Sequence, residues 1–218
     1  AAIATPPGPG GVGIVRVSGP LCARIADRMF SRSATAEGWR SHQLYHGHVV
    51  DVHGGALDEA LAVRMPSPRS YTGEDVLEIH CHGGPVIVRR VLARVLECGA
   101  RPAQPGEFTK RAFLNGRLDL AQAEAVIDLV RAGTDAAAKL AMQQLSGQLS
   151  DHLGALRAEL VRLKTLLEAQ IDFADEDLVI GADEVLGALD TCSVTIKDLL
   201  NTHSHGRVVR EGLRVTII

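Results

Sequence analysis

Apolar and polar residues alternate in short runs through the first 116 residues, and glycine and proline separate the runs. The segment "GIVRVSGP" predicts a buried strand over Ile14–Val17 and then a helix over Leu21–Phe30, with Ser18 and Pro20 supplying its cap and first turn. Two further strands are predicted around His53-Gly54-Gly55, because glycine accepts the positive φ that a tight turn needs.

The pattern after residue 74 continues to mix strands and helices. "DVLEIHC" predicts another strand, and "GPVIVRRVLARVLECGA" predicts an amphipathic helix that ends at Gly99. A short helix is predicted between Pro105 and Gly116. Because strands and helices do not alternate strictly, the pattern favours an α+β domain.

From Leu118 the pattern changes to helical spacing, and proline is absent. Apolar residues recur every three or four positions from Leu145 to Ile171 and again from Val185 to Leu199, which predicts two long helices with one apolar stripe each. The acidic segment "DFADEDLVIGAD" separates them and is interpreted as a solvated connection. The stripes need partners, so the second half is predicted to be an all-α helical bundle.

Composition and charge narrow the class of protein. Aromatic residues make up only 3% of the 218 residues, so the core must be aliphatic. The net charge of −3 gives no global electrostatic basis for binding nucleic acid. We find no apolar run long enough to span a bilayer, no signal-peptide pattern and no Cys-x-x-Cys pair among the four cysteines. These features favour a cytoplasmic protein without a membrane partner.

The segment "VLEIHCHGGP" carries the most conspicuous candidate chemistry. In an extended strand Glu78, His80 and His82 point to one face, and the apolar residues between them point to the other. One carboxylate and two imidazoles on one face fit a metal site, an acid/base site or the polar wall of a ligand pocket. The strand by itself leaves the three alternatives open.

Three longer blocks resemble a known family. They are "AIATPPGPGGVGIVRVSG", "SYTGEDVLEIHCHGGP" and "PGEFTKRAFLNGRLDLAQAEAVIDLV", and they resemble the tRNA-modification GTPase family MnmE, also called TrmE. The segments "LLEAQIDFADED" and "VREGLRVTII" resemble later pieces of that family in the same order. The resemblance therefore covers nearly the whole chain.

The resemblance implies three parts of the chain. Residues 1–116 would form a tetrahydrofolate-binding domain, similar to folate-binding aminomethyltransferase domains, that also makes the homodimer contact. Residues 117–210 would form the first part of a helical domain. Residues 211–218 would be the first strand of a G domain that does not follow in this sequence.

The resemblance also implies an activity and partners. Together with the flavoprotein MnmG, also called GidA, the family installs a carboxymethylaminomethyl-type group at carbon 5 of the wobble uridine of tRNA. The one-carbon donor would be 5-formyl- or methylene-tetrahydrofolate, whereas GTP, magnesium and potassium would bind only in the G domain. No G-x-x-x-x-G-K-[ST] motif occurs in the 218 residues. We therefore expect this chain to be inactive as a GTPase and assign it no catalytic and no metal-binding residue.

The family's folate-contacting residues fall on Arg16, Glu78 and Arg117, and the family often has lysine at the last of these positions. A pterin ring presents an amide N–H beside an exocyclic amine, and a carboxylate can accept both in parallel. Arginines suit the acceptor atoms of the ring or the carboxylates of the glutamyl tail. Other interpretations stay open: Arg16 as a surface residue of an edge strand, Glu78 in an ion pair with a neighbouring strand, and Arg117 at an exposed basic helix end.

Two further features concern the surface. Pro9 stands where the family often has arginine, which changes the chemistry of the N-terminal loop. The densest group of basic residues is a candidate contact for the tRNA backbone or a solvated helical face, and it consists of Arg89, Arg90, Arg94, Lys110, Arg111 and Arg117.

Three functions compete with a folate-binding part of a tRNA-modifying GTPase. A stand-alone folate-dependent aminomethyltransferase would transfer one-carbon units by itself. A metal-dependent hydrolase would use Glu78, His80 and His82 as ligands and would contain stoichiometric zinc. A purely structural helical adaptor would bind no folate.

Overall fold

The computed structural model describes residues 1–32, 38–172 and 181–211, without the side chains of residues 203–205 and 207–211. The chain divides into two compact units, Ala1–Leu118 and Asp119–Ile218. The first unit mixes strands and helices and the second is helical, so the predicted α+β and all-α classes are confirmed.

The first unit is built on one six-stranded antiparallel sheet with strand order β1-β2-β6-β5-β4-β3. Its elements are β1 (Ala2–Ile3), β2 (Gly10–Ser18), α1 (Cys22–Met29), β3 (Phe30–Arg32), β4 (Leu44–Val50), β5 (Ala56–Met65), β6 (Val76–Gly83), α2 (Pro85–Glu97) and α3 (Glu107–Leu114). Strand β6 is central, with β2 on one side and β5 on the other. The strands and helices predicted in this half are all present.

One face of the sheet is covered by α1 and α2 and forms the core of the unit. Leu77 and Ile79 of β6 are fully buried there. They belong to one apolar cluster with Val15 of β2, Ile25 of α1 and Val91 of α2. Glu78 and His80, between the buried residues, lie on the opposite face, so the alternation predicted for this strand is confirmed.

The predicted cap of α1 is wrong. Leu21 occupies the N-cap position and makes no side-chain capping hydrogen bond. Ser18 is the last residue of β2, and its hydroxyl donates to Glu74 Oε2 at 2.8 Å and lies 2.7 Å from Thr72 Oγ1. These partners lie more than 50 residues along the chain, so the capping pattern around Ser18 gave no sign of them.

The second unit contains the helices α4 (Leu120–Arg131), α5 (Asp135–Leu145), α6 (Gln148–Asp172) and α7 (Ala182–Glu211). Asp119 and Gln122 form a reciprocal capping box at the start of α4, and Thr134 caps α5. Helix α5 contacts α4, α6 and α7. The helix predicted from Leu145 begins instead at Gln148, because Leu145 ends α5 and Gly147 follows with a φ of +94°.

The apolar stripes of α6 and α7 are more exposed than the core-facing side chains of a closed helical bundle. Leu163 and Cys192 are buried, at 3% and 5% exposure. Leu167 is 40% exposed and Ile171 is 75% exposed. The helical period of these stripes was predicted correctly, but their burial in the described chain is only partial.

Two predicted features lie wholly or mostly outside the described residues. The acidic connection falls largely on residues 173–180, and the predicted G-domain strand falls on residues 211–218, of which Glu211 is the last residue of α7. Among the helices described, none is both long and apolar enough to cross a membrane.

Candidate ligand site on the open face of the sheet

Arg16 and Glu78 face each other across the β2–β6 pair on the open face of the sheet. The register places Arg16 directly opposite Glu78. The guanidinium uses two nitrogens on one carboxylate oxygen, because Nε and Nη2 both lie 2.7 Å from Glu78 Oε1. The Glu78 side chain is only 13% exposed and that of Arg16 is 28% exposed. Such a half-buried, charge-assisted pair is stronger than an exposed surface ion pair.

The second oxygen of Glu78 also has a partner. His80 Nε2 lies 3.1 Å from Glu78 Oε2, and the His80 side chain is 23% exposed. Each carboxylate oxygen carries two lone pairs, so Arg16 occupies both on Oε1, whereas Oε2 keeps one for a further donor. One N–H donor of a planar ligand could therefore bond to Oε2, and a second, adjacent donor would have to replace a bond from Arg16 on Oε1.

Two aromatic rings flank the guanidinium of Arg16. The Arg16 Cζ atom lies 5.4 Å from the ring centroid of Tyr71 and 5.7 Å from that of Phe108, within the range of cation–π contacts. Tyr71 lies in the loop 66–75, and Phe108 lies in the first turn of α3. The Tyr71 hydroxyl is 2.9 Å from Thr109 Oγ1, which joins the loop to the helix. The open face thus acquires one aromatic wall beside the ion pair.

Arg117 reaches the same loop but not the ion pair. Its Nε donates to the carbonyl oxygen of Ser70 at 3.1 Å, one residue before Tyr71. Arg117 also packs against Gly73, whose φ is +75° and where a Cβ would lie 3.2 Å from Arg117 Cγ. Of the three predicted ligand residues, the structure brings Arg16 and Glu78 into contact and connects Arg117 to them through the loop.

The two histidines of β6 have different carboxylate partners. His82 Nδ1 lies 2.7 Å from Asp58 Oδ1, away from Glu78, and its side chain is 69% exposed. The hydrogen bond and the charge of Asp58 raise the pKa of His82 above its usual value. Within the described ranges no three His, Cys, Asp or Glu side chains are grouped so that they could hold a metal ion. The geometry therefore gives no support to a metal site on Glu78, His80 and His82.

A second charged network, which the sequence analysis did not single out, joins β2, the loop 66–75 and α3. Arg111 Nη1 donates to both oxygens of Glu74, at 3.1 and 2.9 Å. Its Nε and Nη2 donate to Glu107 Oε1 at 3.0 and 2.9 Å. Three of the six basic residues suggested for a tRNA contact are thus engaged within the unit, since Arg117 donates to Ser70 and Arg94 donates to the carbonyl oxygen of Val50 at 3.0 Å.

A cavity of about 190 Å³ lies beside Val17 and Ser18, at the C-terminal end of β2. Ser18, Phe108 and Arg111 contribute to its lining, but Arg16 and Glu78 do not. The ion pair therefore lies on an open sheet face beside the cavity and not within it.

Sequence reasoning missed Tyr71, Glu74, Phe108 and Arg111 as parts of the site. All four lie inside the segments "SYTGEDVLEIHCHGGP" and "PGEFTKRAFLNGR". An aromatic residue in each block, beside charged residues of opposite sign, was the available signal. The residues that meet are 37 positions apart in the case of Glu74 and Arg111, so only the folded unit brings them together.

Two family models cover almost the whole chain. The model described as the GTP-binding protein TrmE N-terminus matches residues 1–117, and the model described as the MnmE helical domain matches residues 120–214. Both residues of the ion pair, the aromatic pair and Arg117 fall within the first match.

Curated relatives match along the full length of this chain. It is 54% identical over 219 residues to a protein of Geobacter sulfurreducens, 49% identical to one of Symbiobacterium thermophilum and 46% identical to one of Methylococcus capsulatus. Each of these relatives is named tRNA modification GTPase MnmE. The alignments cover 99–100% of this chain and 47–48% of each relative, so the chain spans about half the length of the relatives that it matches.

Proposed function

The chain belongs to the family of the tRNA modification GTPase MnmE, and from this membership we propose that its first unit binds a reduced folate on the open face of the sheet. The observation that carries the proposal is the half-buried Arg16–Glu78 pair beside the rings of Tyr71 and Phe108. A carboxylate, a guanidinium and an aromatic wall are the groups that a flat, polar, heteroaromatic ligand needs.

Glu78 would recognise the donor edge of the pterin ring. The ring amide N–H and the neighbouring exocyclic amine would donate in parallel to the two carboxylate oxygens. Those oxygens now accept from Arg16 and His80, so the ligand would share or displace existing hydrogen bonds. The net gain is therefore smaller than the about 1.5–3 kcal/mol that a hydrogen bond to a charged group otherwise contributes.

Arg16 and Arg117 would bind the acceptors of the ligand. Arg16 would bind acceptor atoms of the ring, a role supported by the position of its guanidinium beside Glu78 and the aromatic rings. Arg117 is exposed and tied to Ser70, at the outer side of the same loop, where a glutamyl carboxylate would meet solvent. Arginine also offers such a carboxylate two parallel donors, which lysine cannot do.

The whole protein would use the folate in tRNA modification. The family membership supports a carboxymethylaminomethyl-type modification at carbon 5 of the wobble uridine, with tRNA and the flavoprotein MnmG as partners and a homodimer formed by the first unit. The 218 residues contain no phosphate-binding loop motif. GTP, magnesium and potassium would therefore bind in a G domain beyond these residues, and the present chain would bind folate without hydrolysing GTP.

Titration of 5-formyltetrahydrofolate into this chain tests the proposal. We expect saturable binding by calorimetry, and we expect Glu78→Gln to weaken it by at least about tenfold, which corresponds to about 1.4 kcal/mol. Glu59→Gln is the matched control, because Glu59 also pairs with a histidine on this sheet but is exposed on β5.

Two results would contradict the proposal. One is the absence of saturable binding by the unmodified chain. The other is equal affinity in the unmodified chain and in Glu78→Gln. A turnover assay on the same sample distinguishes the stand-alone aminomethyltransferase, since one-carbon transfer by this chain alone would favour that enzyme.

A further inference from the structure

Glu74 lies at the centre of a hydrogen-bonded network beside the proposed folate site. Its Oε2 accepts from the hydroxyl of Ser18, two residues along β2 from Arg16, at 2.8 Å. Both of its oxygens accept from Arg111 Nη1. Partial burial acts to raise the pKa of Glu74, but the bonds from Ser18 and Arg111 outweigh it and lower that pKa below 4.5.

Arg111 connects this carboxylate to a second one. Its Nε and Nη2 donate to Glu107 Oε1, in the first turn of α3. The Arg111 side chain is 30% exposed and that of Glu107 is 13% exposed, so the guanidinium is held in one orientation between a loop and a helix. Hydrogen bonds from Arg101 and from the backbone N–H of Gln104 hold Glu107 in place in turn.

The segments joined by this network are the ones that carry the aromatic wall. Glu74 is three residues after Tyr71 in the loop 66–75, and Arg111 is three residues after Phe108 in α3. Tyr71 itself is held by a hydrogen bond between its hydroxyl and Thr109 of α3. The rings therefore keep their places against Arg16 because the loop and the helix are fixed to each other and to β2.

Two contacts fix the loop from its outer side. Asn115 Nδ2 donates to the carbonyl oxygen of Thr72 at 2.7 Å. Gly73 permits this approach, because a Cβ there would lie 3.2 Å from Asn115 Cβ. Neither contact crosses to β2. The side-chain link between the loop and the strand is made by Ser18, Thr72 and Glu74, beside a backbone bond from the Gly19 N–H to the Asp75 carbonyl oxygen.

We propose that Glu74 and Arg111 are positioning residues for folate binding, which hold Tyr71 and Phe108 against Arg16 without touching the ligand. This inference rests on the proposed function, because it assigns a role in the same site. Both residues use their hydrogen-bonding atoms on protein partners, so their contribution to affinity is made through the rings. These contacts join an acidic residue near Tyr71 in one block to a basic residue near Phe108 in the other.

The test compares Glu74→Gln with the unmodified chain in two measurements. The first is the NMR resonance of the Arg16 Nε–Hε group without ligand, which reports the ring currents of Tyr71 and Phe108. The second is calorimetric titration with 5-formyltetrahydrofolate. We expect the resonance to shift and the Kd to rise by about tenfold, equivalent to about 1.4 kcal/mol, with an unchanged number of sites per folded molecule.

Two further variants separate positioning from damage to the fold. Lys110→Gln is the matched control, because Lys110 is exposed on the same helix next to Arg111. It should change neither the resonance nor the Kd. The double variant Glu74→Gln/Arg111→Gln should weaken binding no more than the stronger single variant, because the two residues act as one unit. A loss of folded protein would instead lower the number of sites and leave the Kd of the remainder unchanged.

The outcomes distinguish the two proposals. An Arg16 resonance that stays in place in Glu74→Gln, or a Kd equal to that of the unmodified chain, overturns the positioning role. Absence of folate binding by the unmodified chain overturns the proposed function, whereas a shifted resonance in that case still supports the positioning of the rings.

Discussion

Side chains of strand β6 alternate between two faces of the sheet, and the two faces are stabilised by different interactions. On the covered face Leu77 and Ile79 are fully buried among aliphatic side chains of β2, α1 and α2. On the open face Glu78 and His80 make directional contacts with a guanidinium and with each other. The covered face is stabilised by burial, which is insensitive to small changes of angle, whereas the open face depends on distances near 3 Å.

Within the eight residues of β6, we expect the covered face to determine stability and the open face to determine the proposed ligand binding. Removing apolar volume from the covered face should change the free energy of unfolding and leave the open face intact in the molecules that fold. Changing a charge on the open face should alter binding or its pH dependence much more than stability. Each face can therefore be perturbed while the other serves as the reference.

The largest effect is expected for Leu77→Ala on the covered face. Leu77 is completely buried, and a leucine-to-alanine change in such a site costs about 2–5 kcal/mol. Denaturant unfolding followed by far-UV circular dichroism measures it. Leu61→Ala on β5, where the side chain is 38% exposed, should cost about 1 kcal/mol or less. Comparable losses in the two variants would contradict the contrast between the faces.

A smaller effect is expected on acidification and concerns Glu107 and Glu74 beside the open face. Hydrogen bonds from Arg101, from the Gln104 backbone and from Arg111 lower the pKa of Glu107 well below 4.5, and the pKa of Glu74 is lowered as well. A lowered folded-state pKa contributes stability that is present above pH 4.5 and is lost as the pH falls through the folded-state value.

Unfolding measured between pH 7 and pH 2.5 checks this pH dependence. The unmodified chain should lose stability below about pH 4.5, and Glu107→Gln should show a flatter profile in that range. The stability of Leu77→Ala should change with pH in parallel with that of the unmodified chain, because this substitution alters no titrating group. Parallel profiles for Glu107→Gln and the unmodified chain would show that Glu107 contributes nothing.

The smallest effect is expected at His82, at the exposed end of β6. Asp58 raises the pKa of His82, so any stabilisation by this pair is present below pH 6.5 and is lost as the pH rises through the folded-state pKa. Because the imidazole is 69% exposed, His82→Gln should leave the Tm at pH 8 unchanged. NMR titration should place the His82 pKa above 6.5 in the unmodified chain and return it toward 6.5 in Asp58→Asn.

The alternation of β6 could be predicted because side-chain direction in a strand is a local property. Glu78 and the two histidines were assigned to one face from the sequence alone, and the structure places them there. The pairing of Glu78 with a neighbouring strand was one of the open interpretations, and Arg16 is that neighbour. The alternation predicts the direction of these side chains but not their function. The functional interpretation of the pair came from the resemblance to the family.

The surroundings of the pair could not be predicted from local patterns. Ser18 has the sequence context of a helix cap, but Thr72 and Glu74 offer its hydroxyl nearer partners in the folded unit. Tyr71 and Phe108 approach Arg16 because of the path that the loop 66–75 takes beside β2. That path cannot be predicted from the spacing of residues in the sequence. The helical stripes show the same limit, since their period predicts helices but not how far each residue is buried.

The antiparallel pairing of β2 with β6 has a consequence for the nascent chain. Arg16 and Glu78 are 62 residues apart, and β3, β4 and β5 are synthesised between them. Until β6 leaves the ribosome, one edge of β2 remains unpaired, and the strand carries valines on one side. An unpaired edge of this kind can form hydrogen bonds with other chains. Contacts of such long range also form slowly. The last strand added to the sheet both closes this aggregation-prone edge and creates the carboxylate–guanidinium pair.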